Sequence, residues 1–265
     1  MQSTVSLAWR YSPPEILGDA FHHTTDDYTF TILDGAATVE VDGAIFDKDP
    51  KFQANASEIL TGILDGPALS QRIAIQISAP SMTRKQADGS QILYVDLDMG
   101  SIGVSVSEHL TILRNGVPIY DSESERLTKE SSAASKVTSE SRILGARISK
   151  HHNDPLLTQL VMSYKASIAN PENEFLRLYE IRDALGKRFG GEAKVCAALN
   201  VSGRGWGRFG TICNDGTISQ GRHCGTSGSS AAIRSATSEE FQQVRNFALE
   251  MLRGYLTYLD SQIKP

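Results

Sequence analysis

The sequence predicts an α+β protein in which an N-terminal, mainly antiparallel β domain, a small barrel or sandwich, precedes a C-terminal α-helical bundle. Two observations carry this prediction. Turn dipeptides typical of β-hairpins separate short alternating runs in the first part of the chain. Later, apolar residues recur at three- and four-residue steps, as they do on amphipathic helices. We therefore expect a β-rich domain over 1–120, a linker over 121–150 and a helical bundle over 151–265.

The predicted β domain holds about eight short strands and one helix. Its clearest hairpin is centred on Asp34-Gly35, between alternating runs at Tyr28–Leu33 and Ala37–Val41. A second turn at Asp42-Gly43 leads to a predicted short strand, Ala44–Phe46. The remaining predicted strands are Arg72–Ser78, Ile92–Met99, His109–Arg114 and Val117–Tyr120. The first two flank a polar excursion, and the last two surround Asn115-Gly116, which predicts a second hairpin.

The single helix of this domain is expected at Phe52–Leu64, where apolar residues have helical spacing, and it should end before Asp65-Gly66-Pro67. The segment 121–150 begins with a run rich in Ser, Glu and Lys and is the best linker candidate, as either exposed helix or coil.

The helical bundle is predicted from helix starts and stops. Asp154-Pro155 and Asn170-Pro171 each place a capping side chain before a proline at the first helical position. Gly190-Gly191 ends the second helix, and Thr237 with Glu240 forms a capping box before the last one. Three long amphipathic helices with smaller ones between them make a bundle.

Composition sets the class of protein. Of 265 residues, 40% are apolar and 22% are charged, as in ordinary globular proteins. We see no secretory signal and no apolar run of membrane-spanning length, and we expect no membrane partner. Three cysteines without framework spacing indicate reduced thiols and a cytoplasmic protein. Residues 1–150 hold 13 basic and 20 acidic residues, whereas 151–265 hold 13 and 11, so a nucleic-acid surface is expected only in the second half.

The segment 201–228 is predicted to be a Gly/Arg-rich loop that meets an anionic ligand. Seven glycines and three arginines lie between Val201 and Thr226. Glycines allow a ligand to approach the backbone, and guanidinium groups match phosphate geometry. The residues expected to bind phosphate are Arg204, Arg208 and Arg222, while Trp206 anchors the loop by packing or stacks on a base.

Two interpretations of the first half of this segment remain open. Glu192–Phe209 fits a helix-turn-helix, with Ser202 capping a second helix that projects Arg204 and Arg208 towards nucleic acid. Alternatively, it is a small helical hairpin that packs Trp206 onto the bundle, because four glycines disfavour a recognition helix.

The second half of the segment contains Arg222 and His223, a pair suited to phosphodiester binding or to acid-base cleavage of RNA. Arg222 could equally tie the loop to Glu180 or Asp183. No Cys-x-x-Cys pattern supports a zinc site, so we expect no metal and no cofactor.

The motifs RYSPP, FLRLYEIRDALGKRFGGE, LNVSGRGWGRF, ICNDGTISQGRH and SATSEEFQQVRNFA follow one another in this order. Together they resemble a family of uncharacterised bacterial two-domain proteins, most clearly over Asn173–Leu259. The helical half also resembles HEPN-type domains, many of which are RNases of toxin–antitoxin and phage-defence systems. That second resemblance implies an RNase in which His223 and Arg222 act with Glu180.

The sequence thus predicts a protein that binds nucleic acid, either RNA or DNA, or another phosphate-bearing ligand through the Gly/Arg/His-rich loop. A HEPN-like RNase is the first alternative. A protein-interaction component that docks a protein partner through the β domain is the second.

Overall fold

The computed structural model describes residues 3–25, 27–86, 88, 90–94, 111–114, 117–121, 139–224 and 232–262. The chain divides into two compact units, one formed by 1–57 with 75–140 and the other by 58–74 with 141–265. The first unit contains an antiparallel sheet and the second is helical, which confirms the predicted α+β class.

The β unit is organised around one seven-stranded antiparallel sheet. Six of its strands follow the order β2-β3-β4-β1-β6-β7, and β5 pairs with β1. Two further strands, β8 and β9, form a separate hairpin. The strands are β1 (Thr4–Ser12), β2 (Phe21–Thr24), β3 (Thr29–Leu33), β4 (Ala36–Asp42), β5 (Gln76–Ile77), β6 (Ser81–Lys85), β7 (Gln91–Tyr94), β8 (Thr111–Arg114) and β9 (Val117–Asp121).

Strand β1 lies inside the sheet and was absent from the sequence prediction. It pairs with both β4 and β6, so that Leu7 lies opposite Val39 on one side and Met82 on the other. Its alternate residues are buried, and Trp9 donates a hydrogen bond from Nε1 to Ser57 Oγ at 3.1 Å. The period-two alternation that explains this burial is present in the sequence.

The Asp34-Gly35 hairpin is confirmed. Both residues have positive φ, 48° and 75°, as a type I′ turn requires, and the turn joins β3 to β4. The strand predicted at Ala44–Phe46 is wrong. Those residues lie in helix α1 (Gly43–Lys48), because the Asp42 carboxylate caps the helix by accepting the Ala44 N–H at 2.8 Å.

The predicted strands around the polar excursion are also revised. The excursion contains β6, which pairs with β1 and β7, whereas only Gln76–Ile77 of the strand predicted at Arg72–Ser78 is extended into β5. The predicted hairpin near residue 115 is present as β8 and β9. Residues 95–99 of the predicted strand Ile92–Met99, and the Asn115-Gly116 turn, lie outside the described residues.

Helix α2 (Phe52–Gln71) runs past the predicted stop at Asp65 and includes Pro67. A proline cannot bond the carbonyl four residues earlier, here that of Ile63. That carbonyl faces Gly145, where an added Cβ would lie only 2.2 Å from the oxygen. A close backbone neighbour therefore replaces part of the lost helical contact.

The end of α2 belongs to the helical unit, which differs from the predicted domain boundary at residue 120. Gly66 explains the packing. A Cβ at Gly66 would lie 2.1 Å from Gly145 N, and one at Gly62 would lie 2.7 Å from Ser149 Cα. Both contacts are with helix α3 (Ser139–Lys150), which occupies the end of the predicted 121–150 linker. Small residues on both helices thus let two backbones cross in contact.

The helical unit continues with five more helices, and several of their starts and stops were predicted. The helix start predicted at Asn170-Pro171 is wrong, because Asn170 makes no side-chain capping hydrogen bond and a 3₁₀ turn, Pro171–Asn173, precedes the α-helix. Asp154 accepts the Leu157 N–H at 2.7 Å, Gly190 is left-handed, and Thr237 and Glu240 form a reciprocal capping box. The helices are α4 (Pro155–Ala169), α5 (Glu174–Phe189), α6 (Glu192–Leu199), α7 (Gly203–Cys213) and α8 (Ser238–Gln262).

A buried carboxylate connects three parts of this unit. Glu174, at the start of α5, is fully buried and accepts two hydrogen bonds from Arg245 of α8 at 2.6 and 2.8 Å. Arg72, just after α2, approaches the same carboxylate at 3.0 Å. Because a buried charge is tolerated only when it is paired, this contact holds the three helices in register.

Candidate functional site

The first part of the predicted Gly/Arg-rich loop at 201–228 is a helix, α7, and residues 225–228 of it lie outside the described residues. Asn200 ends α6 with φ of 53°, and Ser202 then caps α7 by accepting the Gly205 N–H at 3.2 Å. Helix α7 keeps four glycines because one face of it is buried, as Trp206 and Phe209 are 3% and 2% exposed. Tertiary burial therefore outweighs weak helix propensity.

Burial of Trp206 selects one of its two expected roles. Its indole packs in the core of the helical unit and lies 4.6 Å from the Arg182 guanidinium. At 3% exposure the ring has no face available for a nucleotide base. Trp206 therefore anchors the segment by packing, and base stacking by this residue is excluded in the described conformation.

Arg204 and Arg208 lie on the exposed face of α7, as expected. Arg208 Nε donates to Gln243 Oε1 at 2.5 Å, and its Nη2 lies 3.9 Å from Glu239 Oε1. Arg204 makes no hydrogen bond or ion pair with any residue in the part of the chain described. Arg208 is thus held by α8, whereas Arg204 projects into solvent.

Arg222 lies in the loop after α7 and contacts α5. Its backbone N–H donates to Cys213 O at 2.7 Å, which fixes the loop against the end of α7. Its guanidinium lies 4.8 Å above the Tyr179 ring, and Nη1 is 3.5 Å from Asp183 Oδ2. The predicted tie between this loop and α5 is therefore made to Asp183.

Around Tyr179 the structure brings together a group that we call the arginine–tyrosine cluster. Arg182 Nη1 donates to the Tyr179 hydroxyl at 2.6 Å, and Asn214 Nδ2 donates to the same oxygen at 3.2 Å. Arg182 also lies 5.1 Å above the Tyr179 ring. The members of the cluster are Tyr179, Arg182, Trp206, Asn214 and Arg222.

Three buried polar atoms of the cluster have no hydrogen-bond partner: Arg182 Nε, Trp206 Nε1 and Asn214 Oδ1. An unmet buried polar group costs about 1–3 kcal/mol, so such groups mark places where a water or ligand completes the structure. Two of the three are N–H donors, and the third is an acceptor. The cluster therefore lacks mainly hydrogen-bond acceptors, which an anion would supply.

The charge of the cluster also favours an anionic ligand. Within the described residues, no carboxylate lies within 4.0 Å of Arg182. Arg222 has Asp183, but both side chains are more than one-third exposed and the 3.5 Å separation is long. Such a pair contributes about 0–1 kcal/mol. The cluster therefore contains two guanidinium charges, and the neighbouring Asp183 carboxylate balances at most one of them.

Arg182 was missed by the sequence prediction. It follows Ile181 on α5, beside the buried stripe of that helix. Its position depends on α7, because Gly210 lies against the guanidinium and a Cβ there would be 3.3 Å from Nη2. The usable signal was an arginine three residues after Tyr179, next to apolar positions.

The expected RNase site comprises Glu180, Arg222 and His223. Glu180 Oε2 accepts a hydrogen bond from Ser163 at 2.9 Å, and Glu180 Oε1 accepts one from Arg177 at 2.8 Å. The carboxylate beside Arg222 is that of Asp183. His223 follows Arg222 in the loop and its side chain is exposed.

The groove beside Asp183 is electrostatically mixed. It has a volume of about 610 Å³, and its charged lining residues are Glu180, Asp183, Lys187 and Arg188. Two carboxylates oppose two cations, so this groove is not the basic channel that a long nucleic-acid strand requires.

The cysteines are reduced, and burial raises the pKa of the Cys213 thiol well above its usual range. In the described ranges, no three histidine, cysteine or acidic side chains come together as metal ligands. None of the helices in those ranges combines the length and apolarity needed to cross a bilayer.

Comparison of the chain with protein-family models, curated proteins and solved structures finds no match. The two resemblances inferred from the sequence therefore remain predictions, and the functional argument rests on the geometry of the site.

Proposed function

We propose that the helical unit binds a phosphate-bearing ligand at the arginine–tyrosine cluster. The observation that carries this proposal is Arg182. It is partly buried and has no carboxylate partner among the described residues, and neither its Nε–H nor the Nε1–H of Trp206, both buried, has a hydrogen-bond acceptor. A phosphate that enters beside the exposed Arg222 would supply the negative charge, and its oxygens would accept from these two N–H groups once a covering side chain moves aside.

Arg222 is the second phosphate-binding residue of the proposal. Its guanidinium lies over the Tyr179 ring, and the backbone bond to Cys213 holds the loop from which the side chain projects. The ring contact reduces the side-chain freedom that is lost on binding. Its weak pair with Asp183 opposes binding by about 1 kcal/mol at most. A bidentate contact to phosphate is worth more than that.

Nucleic acid is one carrier of such a phosphate. In that case Arg204 and Arg208, exposed on α7, would contact further phosphates along the strand. The buried Trp206 does not read bases, so recognition would rest on the backbone and show little sequence preference. Small phosphate esters need only Arg182 and Arg222.

The test is a competition experiment. Anisotropy of labelled single-stranded RNA and of duplex DNA is measured across a salt series, with inorganic pyrophosphate as competitor. We expect Arg182→Gln and Arg222→Gln each to weaken phosphate binding about 10- to 100-fold, as loss of a charged hydrogen bond does. Arg204→Gln is the matched control: it should leave pyrophosphate affinity unchanged, while it weakens nucleic-acid binding modestly and lowers its salt dependence by about one phosphate contact.

Phosphate affinity unchanged in the Arg182→Gln/Arg222→Gln double variant would refute the proposal. RNA length is followed in the same samples. RNA that is shortened by the wild type and left intact by His223→Ala would instead support the RNase hypothesis. Absence of binding at low salt would favour the protein-interaction hypothesis.

A further inference from the structure

A second cavity in the helical unit shares no residue with the arginine–tyrosine cluster. It is a cleft of about 250 Å³ between α2, α3 and α4. Its walls are largely apolar, formed by Ile148, Leu157, Val161 and Met162. This volume suits a molecule of a few heavy atoms, smaller than the ligands of most drug-sized pockets.

A buried carboxylate faces this cleft. The side chain of Asp65 is 5% exposed, and its Oδ1 accepts a hydrogen bond from Lys165 Nζ at 2.7 Å. Its other oxygen, Oδ2, accepts no hydrogen bond from any residue in the described part of the chain. That oxygen is not fully enclosed, so the small exposed area of Asp65 opens into the cleft that it lines.

Asp65 Oδ2 can accept a hydrogen bond from a second donor that enters the cleft. Burial raises the pKa of Asp65, although Lys165 opposes the shift, which indicates that one ammonium does not fully offset the loss of solvation. Another buried carboxylate of the helical unit, Glu174, is paired with two guanidinium groups, whereas Asp65 is paired with one ammonium.

The remaining charges around the cleft are also acidic on balance. Glu58 lies at the rim with 59% exposure, and His152 Nε2 is 3.9 Å from its Oε2. The cleft is lined by two carboxylates, one ammonium and the imidazole of His152. Asp65 Oδ2 therefore offers an acceptor for a cation, and the apolar wall offers a surface for its hydrocarbon part.

We propose that this cleft binds a small aliphatic amine, with the ammonium donating to Asp65 Oδ2 and the hydrocarbon chain lying against Ile148, Leu157 and Val161. A carboxylate ligand would be repelled by Glu58 and Asp65. A neutral alcohol would fill the same apolar space but leave the charge unbalanced.

The experiment is an NMR titration of the full chain with n-butylammonium, n-butanol and butyrate. The probes are the Met162 methyl group and the backbone amides of Thr61 and Gly62. We expect saturable shifts with n-butylammonium, with an affinity at least about tenfold higher than that of n-butanol, as a charged hydrogen bond supplies. Butyrate should produce no saturable shift.

Two variants separate binding from folding. Asp65→Asn should weaken amine binding about tenfold or more and bring it close to that of the alcohol. Because Asp65→Asn leaves Lys165 unpaired and could unfold the unit, Met162→Lys provides an independent test. Met162 is 65% exposed, so the substitution is tolerated, and the added cation should weaken amine binding about two- to fivefold.

Met162→Gln is the neutral control and should bind the amine as the wild type does. The proposal is overturned if no probe gives saturable shifts, if butyrate binds as well as the amine, or if Met162→Lys and Met162→Gln bind the amine equally.

Discussion

Gly205 and Gly207 form a matched pair that tests how α7 is packed. Both lie inside the same helix, two residues apart, and alanine is favoured over glycine at such positions by about 1 kcal/mol. At Gly207 an added Cβ meets nothing within 4 Å. At Gly205 the same atom would lie 2.5 Å from Phe247 Cε2 and 2.9 Å from Cδ2.

These distances set the expected magnitudes. Gly207→Ala should stabilise the helical unit by about 1 kcal/mol, since nothing offsets the propensity gain. Phe247 is 7% exposed and packs against Phe209 at 5.7 Å, so its ring has little room to move. Overpacking costs about 1–3 kcal/mol, which leaves Gly205→Ala neutral or destabilised by up to about 2 kcal/mol.

Urea denaturation followed by far-ultraviolet circular dichroism measures both variants against the wild type. The two substitutions should differ by about 1–3 kcal/mol in the free energy of unfolding, with Gly207→Ala the more stable. If both stabilise the protein equally, the contact between α7 and α8 is looser than described and the argument from Gly205 fails.

The remaining predictions concern the crossing of α2 with α3, the carboxylates of Glu174 and Asp260, and the buried thiol of Cys213. Gly66→Ala should destabilise the helical unit by at least about 1–3 kcal/mol, because its Cβ would meet backbone that cannot rotate away. Glu174→Gln should cost about 3–5 kcal/mol in urea denaturation, whereas Glu172→Gln at an exposed site should change little. Asp260, in α8, accepts hydrogen bonds from Arg147, Lys150 and His151. Burial raises the pKa of Asp260, but these hydrogen bonds lower it to about 2. Its stabilisation is therefore complete above the ordinary value of 3.8 and lost as the pH falls towards about 2, and Asp260→Asn should remove that part of the acid dependence. In maleimide labelling, Cys213 should react only after unfolding, because its thiol is fully buried.

Features encoded by neighbouring residues were predicted well. The Asp34-Gly35 turn, the Asp154 cap and the Thr237 capping box depend on a few consecutive side chains, and all three are present. The same local logic failed at Asp42-Gly43, since aspartate before glycine serves equally as a hairpin turn and as a helix cap. Only the following residues decide between the two.

Features that depend on tertiary contact were not predictable in this way. Helix α2 continues past Asp65 because α3 covers the carbonyl freed by Pro67, and α3 lies about 80 residues further along the chain. Arg182 becomes a site residue only when α7 lies against α5. Arg222 was predicted as a phosphate-binding residue because glycines surround it in the sequence, and the structure places it against Tyr179. Trp206 was given two expected roles, packing and base stacking, and its burial leaves only packing.

The most direct test of phosphate binding at the arginine–tyrosine cluster is an NMR titration with inorganic pyrophosphate that follows side-chain N–H signals. The proposal predicts saturable shifts of the Nε–H signals of Arg182 and Arg222 and of the Trp206 indole N–H. The Trp9 indole, which is already bonded to Ser57, should not move. Shifts confined to Arg204 and Arg208, with Arg182 and Trp206 unchanged, would place the anion on the outer face of α7 and contradict the proposal.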